Sequence, residues 1–208
     1  MKKHIFLILV TSVIIGLSII VWLTPPSQFL VSGDAKMKTA ALSQKPKGGD
    51  FTLMSSSGPV SLSDYKGKLV LIYFGYTFCP DICPTNLGNL AMAYQQLTPK
   101  ERDQLQILFI SVDPDRDTPD RLKQYADYFN SGIVGLTGKK TIIDDITHRY
   151  GVVYAIHREK PDETTYSVDH SAFTYIINAK GELVKQLPHA TSPDIFTQQI
   201  RHFMTQHP

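Results

Sequence analysis

The chain carries two cysteines in 208 residues, and both lie in one stretch, Phe74-Gly75-Tyr76-Thr77-Phe78-Cys79-Pro80-Asp81-Ile82-Cys83-Pro84. Two thiols this close suit disulfide exchange or the binding of a soft metal ion. A structural disulfide, or a pair of buried free thiols, is the plainer reading of the same residues. An apolar run from Leu69 to Phe74 precedes the stretch and a segment with helical spacing follows it, so the thiols sit where a strand hands over to a helix. Thiols at such a junction are exposed and open to activation, which lowers the weight of a purely structural role. Pro84 constrains their geometry. A helix running through both cysteines would set the Pro84 ring against the carbonyl of Pro80, and proline pushes its predecessor out of the helical region. The expectation is a protruding turn over Cys79–Cys83, a helix starting at Pro84, and Cys83 as its N-cap, where the helix dipole favours thiolate.

The elements that must hold this turn follow from periodicity. Lys68–Phe74 reads as a continuous apolar strand of the kind buried on both faces, and Leu105–Val112 as a second. Between them Leu87, Leu90, Ala91, Tyr94 and Leu97 recur at spacings of three and four, one face of a helix. Thr118-Pro119-Asp120 combines an N-cap hydroxyl, a first-position proline and a first-turn carboxylate, and Leu122, Tyr125, Ala126 and Phe129 form the inner stripe behind it. A third amphipathic piece covers residues 140–150, with Ile143, Ile146 and Tyr150 in register. Upstream, Phe51–Met54 and Val60–Leu62 flank a Ser-Ser-Ser-Gly turn and predict a hairpin. Downstream, Val152–Ile156, Ala172–Asn178 and Glu182–Gln186 read as strands, with a polar loop over Arg158–Thr165. Ser192-Pro193-Asp194 opens a last helix whose Phe196, Ile200 and Phe203 face inward. This order predicts an α/β, thioredoxin-like fold: a central mixed sheet flanked by helices, with an N-terminal hairpin and a helical insertion.

Composition bounds the partners. A formal net charge of +2 gives no electrostatic case for nucleic acid. From Ile5 to Leu23 there is no charged residue, and about 19 apolar residues come close to spanning a bilayer core. The run exceeds a signal-peptide core, and Thr24-Pro25-Pro26 resembles a membrane exit more than a cleavage site. Lys2 and Lys3 place the N-terminus in the cytoplasm. The expected organisation is a cytoplasmic N-terminus and transmembrane helix over residues 1–23, a polar tether over 24–47, and a globular domain over 48–208 on the periplasmic side of the inner membrane, where disulfides are tolerated.

A thioredoxin has two residues between its cysteines, and here there are three. No proline directly precedes the Ala172–Asn178 strand, where a thioredoxin sets its cis-proline against the thiols; Ser167-Val168-Asp169-His170-Ser171 stands there instead. The stretches FGYTFCPDICP, SVDPDRDTP (Ser111–Pro119) and VDHSA (Val168–Ala172) together resemble the Sco/SenC family of membrane-anchored copper chaperones, over the chain from Gly48 onward. The resemblance implies copper bound by Cys79, Cys83 and His170, and a role in maturing the copper centre of cytochrome c oxidase, with the oxidase's copper-bearing subunit or its assembly factors as partners. The donor types agree with this. Two thiolates suit Cu(I), an added imidazole suits Cu(II), and a structural zinc site would want a fourth ligand that has no obvious position. Asp81 is a candidate for supporting the ligands or for docking a partner, though equally an ordinary solvated turn residue, and Asp169 either orients the His170 ring or points to solvent. Tyr76 and Phe78 either wall the site or finish the strand. Asp113-Pro114-Asp115-Arg116-Asp117 is tempting as a carboxylate metal cluster, but a polar loop ending in a helix cap is the better reading. His4, His148, His157, His189, His202 and His207 have no thiol-linked context and read as surface residues.

Two functions compete. One is a copper metallochaperone, a binding protein without turnover. The other is a membrane-anchored thiol–disulfide reductase, with Cys79 and Cys83 as a redox-active disulfide that keeps the cysteines of the oxidase copper site reduced. His170 separates them, since reductase chemistry does not require it. A peroxiredoxin-type peroxidase fits poorly, because Thr77 lies two residues before Cys79 where such enzymes place a hydroxyl three before.

Overall fold

A computed structural model describes residues 46–160 and 164–206. The apolar run of residues 5–23, nearly all of the tether, and His4 and His207 lie outside the described residues. Among those described, no helix is long and apolar enough to cross a membrane.

The elements run in chain order as β1 (Thr52–Ser55), β2 (Gly58–Ser61), β3 (Leu69–Gly75), α1 (Ile82–Gln95), α2 (Pro99–Asp103), β4 (Leu105–Ser111), α3 (Pro119–Asp127), β5 (Ile133–Leu136), α4 (Lys140–Tyr150), β6 (Tyr154–His157), β7 (Ser167–His170), β8 (Phe173–Ile177), β9 (Leu183–Pro188) and α5 (Pro193–Gln206). A five-stranded sheet in the order β5-β4-β3-β8-β9 forms the middle layer. Its β3–β4 and β4–β5 pairs are parallel, and its β3–β8 and β8–β9 pairs antiparallel. Two hairpins stand apart from this sheet, β1–β2 and β6–β7.

The central strand explains its own composition. All seven residues of β3 are buried, because alternate side chains serve two different cores. Val70, Ile72 and Phe74 face the layer holding Ile143, Ile146 and Tyr150 of α4. Leu69, Leu71 and Tyr73 face the layer holding Leu87 and Leu90 of α1, Leu122 of α3, and Phe196 and Ile200 of α5. Each such fully buried side chain contributes roughly 1.5–3 kcal/mol, so this strand is the mechanical base for whatever follows Gly75.

The α3 start forms as expected, with the Thr118 hydroxyl accepting the Arg121 N–H at 3.3 Å and Pro119 at the first position. Helix α4 occupies the expected residues and stops at Gly151, whose φ of 68° a side chain would strain. Three elements escape the sequence reading. Strand β5 is four residues long, too short to carry a period. Helix α2 is five residues long and is marked only by a Thr98–Glu101 capping box. Strand β7 is the third, and it carries His170.

Two corrections concern α1. Ala93 rather than Ala91 joins Leu87 and Leu90 on the buried face. Asn86 is also buried there, its amide donating to Thr174 Oγ1 at 3.1 Å, which is what lets a polar residue occupy a core position. The helix starts at Ile82 with Asp81 as N-cap, so Cys83 and Pro84 are its second and third residues. Proline fits there because first-turn N–H groups have no partner within the helix, and because Pro80, four residues back, is not itself helical.

Candidate metal centre

The α1 start separates the two cysteines by environment. Cys83 points down into the core and is fully buried, whereas Cys79 lies ahead of the helix and is half-buried. The Cys83 N–H donates to Cys79 Sγ at 3.4 Å, so the sulfur of Cys79, not Cys83, takes the capping position. Room for Cys83 is made by the end of β3. A Cβ on Gly75 would lie 2.6 Å from Cys83 Sγ and 2.9 Å from the Phe109 ring, so only glycine fits beneath the sulfur. The glycine was visible in the sequence, but nothing there marked what it faces.

His170 arrives from the opposite side, as the last residue of β7. Its Nε2 lies 3.3 Å from Cys83 Sγ, across 87 residues of sequence. The ring is seated edge-on between two tyrosines, with centroids 6.2 Å from Tyr73 and 5.9 Å from Tyr76. Its Nδ1 is buried without a hydrogen-bond partner. The donor atoms of Cys79, Cys83 and His170 all lie within 4.8 Å of one another, and among the described residues they are the one such group able to hold a metal ion. Cys79 and His170 line a cavity of about 430 Å³ together with Tyr76, Pro80, Asp81, Ile82, Val168 and Asp169, and Cys83 lies buried behind them.

Electrostatics divides the two thiols, and the division reverses the sequence expectation. Cys79 is held down to about 3, first by the hydrogen bond from the Cys83 thiol; partial burial opposes this, and the His170 ring and the N–H groups of Cys83 and Asp81 add to it. Cys83 is pushed upward by the Cys79 thiolate beside it and then by burial. Cys79 is therefore the thiolate and Cys83 keeps its proton, because the sulfur ahead of the helix collects the N–H groups while the one inside the first turn is desolvated. A depressed group is ionised throughout the range above its folded pKa. Alkylation of Cys79 in the metal-free, reduced protein should accordingly be nearly flat between about pH 5 and 8, where an ordinary thiol gains about tenfold per pH unit. Iodoacetamide labelling followed by peptide mass analysis measures this, and a rate climbing tenfold per unit would contradict the assignment.

The supporting residues also differ from expectation. Asp169 does not orient His170. Adjacent residues of a strand face opposite ways, and the Asp169 carboxylate instead pairs with His157 Nε2 at 2.8 Å on the exposed side of the hairpin. Asp81 serves Cys79 through its backbone N–H, while its carboxylate accepts from the Thr85 hydroxyl at 3.4 Å. Tyr76 does wall the site. Phe78 is exposed, with the Arg121 guanidinium 3.9 Å and that of Arg116 4.5 Å from its ring centre. Of the remaining histidines, His148, His157, His189 and His202 are exposed.

The acidic loop is a brace. Asp113 and Asp117 are fully buried, so neither faces a partner. Asp117 accepts from the Thr77 N–H at 3.0 Å, the Thr77 hydroxyl at 2.6 Å and the Ser111 hydroxyl at 2.6 Å, and this ties the cysteine loop to the end of β4. Burial raises the Asp117 carboxyl above the usual range, opposed by the hydrogen bonds from Ser111 and Thr77. Asp113 accepts from Arg116 Nε at 2.5 Å and the Tyr166 hydroxyl at 2.6 Å.

A family model described as SCO1/SenC matches residues 39–205. The chain belongs to this family. An SCO2-like protein of Rickettsia conorii is 42% identical over 156 residues, which cover 74% of this chain and 76% of the relative. Among solved structures, yeast Sco1 with copper bound is 32% identical with a TM-score of 0.71, covering 79% of this chain and 91% of that one. Arabidopsis thaliana ScoI with copper bound is 33% identical with a TM-score of 0.68, covering 77% and 99%. This Sco/SenC domain thus has the fold of its relatives, and its thioredoxin-like mixed sheet flanked by helices agrees with the architecture read from the sequence.

Proposed function

We propose that this chain is a metallochaperone that carries copper to the copper centre of cytochrome c oxidase, with Cys79, Cys83 and His170 as the ligands. The observation that carries the reading is the convergence of two sulfurs and one imidazole within 4.8 Å, with Cys79 and His170 facing a surface cavity. The donor set fits copper in either state. Two thiolates satisfy Cu(I), and the imidazole, whose buried Nδ1 has no other partner, adds the harder donor that Cu(II) favours. Cys83 and His170 are held by the core and by two tyrosines, whereas Cys79 is only half-buried and lines the cavity. An incoming acceptor ligand therefore exchanges first with Cys79. The acceptor being the oxidase rests on family membership. The apolar run of residues 5–23, with Lys2 and Lys3 before it, completes the proposal as a single-pass anchor that leaves the domain outside the cytoplasm on a tether.

A second reading is favoured by one feature. An accessible thiolate at Cys79 backed by a protonated, buried Cys83 is also an attacking and resolving pair. Cys79 would attack a partner disulfide and release one partner thiolate; Cys83 would then displace the other, leaving a Cys79–Cys83 disulfide and a reduced partner, with an external dithiol to reset the pair.

Copper titration of the full chain against competing chelators separates the readings. The wild type should bind both oxidation states, and His170→Ala should lose roughly 10–100-fold in Cu(II) affinity while retaining Cu(I). A fully reduced wild type that takes up no copper would end the chaperone reading, and an unchanged Cu(II) affinity in His170→Ala would remove that ligand. In a deletion strain, rescue of oxidase activity by added copper points to delivery, and rescue by a reductant to thiol chemistry.

A further inference from the structure

The copper ligands come from two parts of the fold, linked through the sheet on one side only: His170 lies three residues before β8, which pairs with β3. Cys79 and Cys83 follow the central strand, while His170 ends a hairpin, β6–β7, that stands outside the five-stranded sheet. The β3–β8 pairing thus fixes the chain just after His170, and the hairpin before it is placed by side-chain contacts with the body of the domain. One group of these contacts centres on Arg116.

The Arg116 side chain is 11% exposed and reaches four neighbours. Its Nε pairs with Asp113, and one terminal nitrogen donates to the backbone carbonyl of Tyr166 at 2.9 Å. Its guanidinium lies 3.5 Å from the Tyr166 ring centre, and 4.5 Å and 5.7 Å from those of Phe78 and Tyr76. Asp113 closes the triangle by accepting the Tyr166 hydroxyl. Phe78 and Tyr76 belong to the cysteine loop, and Tyr166 directly precedes β7, four residues before His170. One cation is thus clamped between the segment that carries the thiols and the segment that carries the imidazole. A planar guanidinium can stack on rings and donate in its plane at once, which a lysine cannot do.

Resting on the copper reading above, we propose that Arg116 is a positioning residue: through Tyr166 it sets His170 against the two cysteines, and so governs how well the site holds Cu(II) relative to Cu(I). Cu(I) is held by two thiolates on the cysteine loop alone, so it is indifferent to the hairpin. Cu(II) draws on the imidazole and feels any displacement of β7. Asp113 pairs with Arg116 Nε and accepts the Tyr166 hydroxyl, while one terminal nitrogen of the guanidinium is buried without a hydrogen-bond partner.

The test measures copper affinity in both oxidation states for the purified full chain and for Arg116→Gln, Arg116→Lys and Tyr166→Leu. Each variant should weaken Cu(II) binding by at least about tenfold, with reduced imidazole nitrogen coupling in the Cu(II) spin-resonance spectrum, and should leave Cu(I) within about twofold. Placed on His170→Ala, Arg116→Gln should change Cu(II) affinity by less than about twofold, because its route of action is already gone. If Arg116→Gln leaves Asp113 unpaired and does not fold, Tyr166→Leu keeps the Arg116–Asp113 pair and decides the matter. Equal losses for both oxidation states, or Cu(II) affinity unchanged in the folded variants, would overturn the proposal. A metal-free readout keeps it separate from the copper reading. Nuclear Overhauser contacts between the His170 and Tyr76 rings should be present in the wild type and lost in Tyr166→Leu, even if the chain binds no copper. Persistence of those contacts would refute the clamp by itself.

Discussion

Cys83→Ala is expected to lower Cu(I) affinity by roughly a thousandfold or more, the equivalent of about 4 kcal/mol. On the proposed ligand set Cu(I) would depend on two soft anions, and His170 is a harder donor that could not replace the buried one. The cost in stability should be small, about 1 kcal/mol, because Cys83 acts in the core as a small apolar group packed over Gly75. Chelator competition for Cu(I), with thermal unfolding of the metal-free chain, measures both quantities. The variant has a further consequence at Cys79. The Cys83 thiol is the largest cause of the low Cys79 pKa, so its removal should raise that pKa and restore a pH-dependent alkylation rate. Tight Cu(I) binding in Cys83→Ala would mean that the buried sulfur is not a ligand.

Asp117→Ala is expected to destabilise the domain by about 3–5 kcal/mol, the largest effect of any single change around the site. Its carboxylate is fully buried and is the common acceptor for Thr77 and Ser111; without it, one backbone donor and two hydroxyls lose their partner in a closed space. The Thr77 backbone would be freed two residues before Cys79, so the thiol loop should loosen as well. Denaturant unfolding checks the first effect, and faster amide exchange at Thr77 the second. Asp115→Ala provides the contrast, since that carboxylate is more than half exposed and its pair with Arg158 lies at the surface. A loss under about 1 kcal/mol for Asp117→Ala would mean that this network does not brace the cysteine loop.

Much of the architecture was legible because its signals are local. Thr118-Pro119-Asp120 marks a helix start within three residues, and α4 declares itself by Ile143, Ile146 and Tyr150. The elements missed are those whose reason is distant. β5 is a strand because its four residues complete the parallel edge beside β4. β7 is one because it pairs with β6, register Tyr154 to His170. Pro84 misled in an instructive way. Its restriction is real in a helix interior, but position three of a first turn has no hydrogen bond to lose.

By itself the sequence determined the chemical character of the centre. Two thiols at the end of a doubly buried strand, and an imidazole in the place where a thioredoxin turns toward its thiols, name a soft-metal or redox site before any coordinate is known, because residue type and short-range spacing are local properties. Tertiary structure decided how the parts are divided. It made Cys79 the thiolate and Cys83 the buried thiol, gave Asp169 to His157 instead of His170, placed Gly75 beneath a sulfur, and turned the acidic loop into a brace with Arg116 at its centre. Each of these depends on which groups share a desolvated space, and residues as far apart as Cys83 and His170 come to share one only when the sheet and its hairpin have formed.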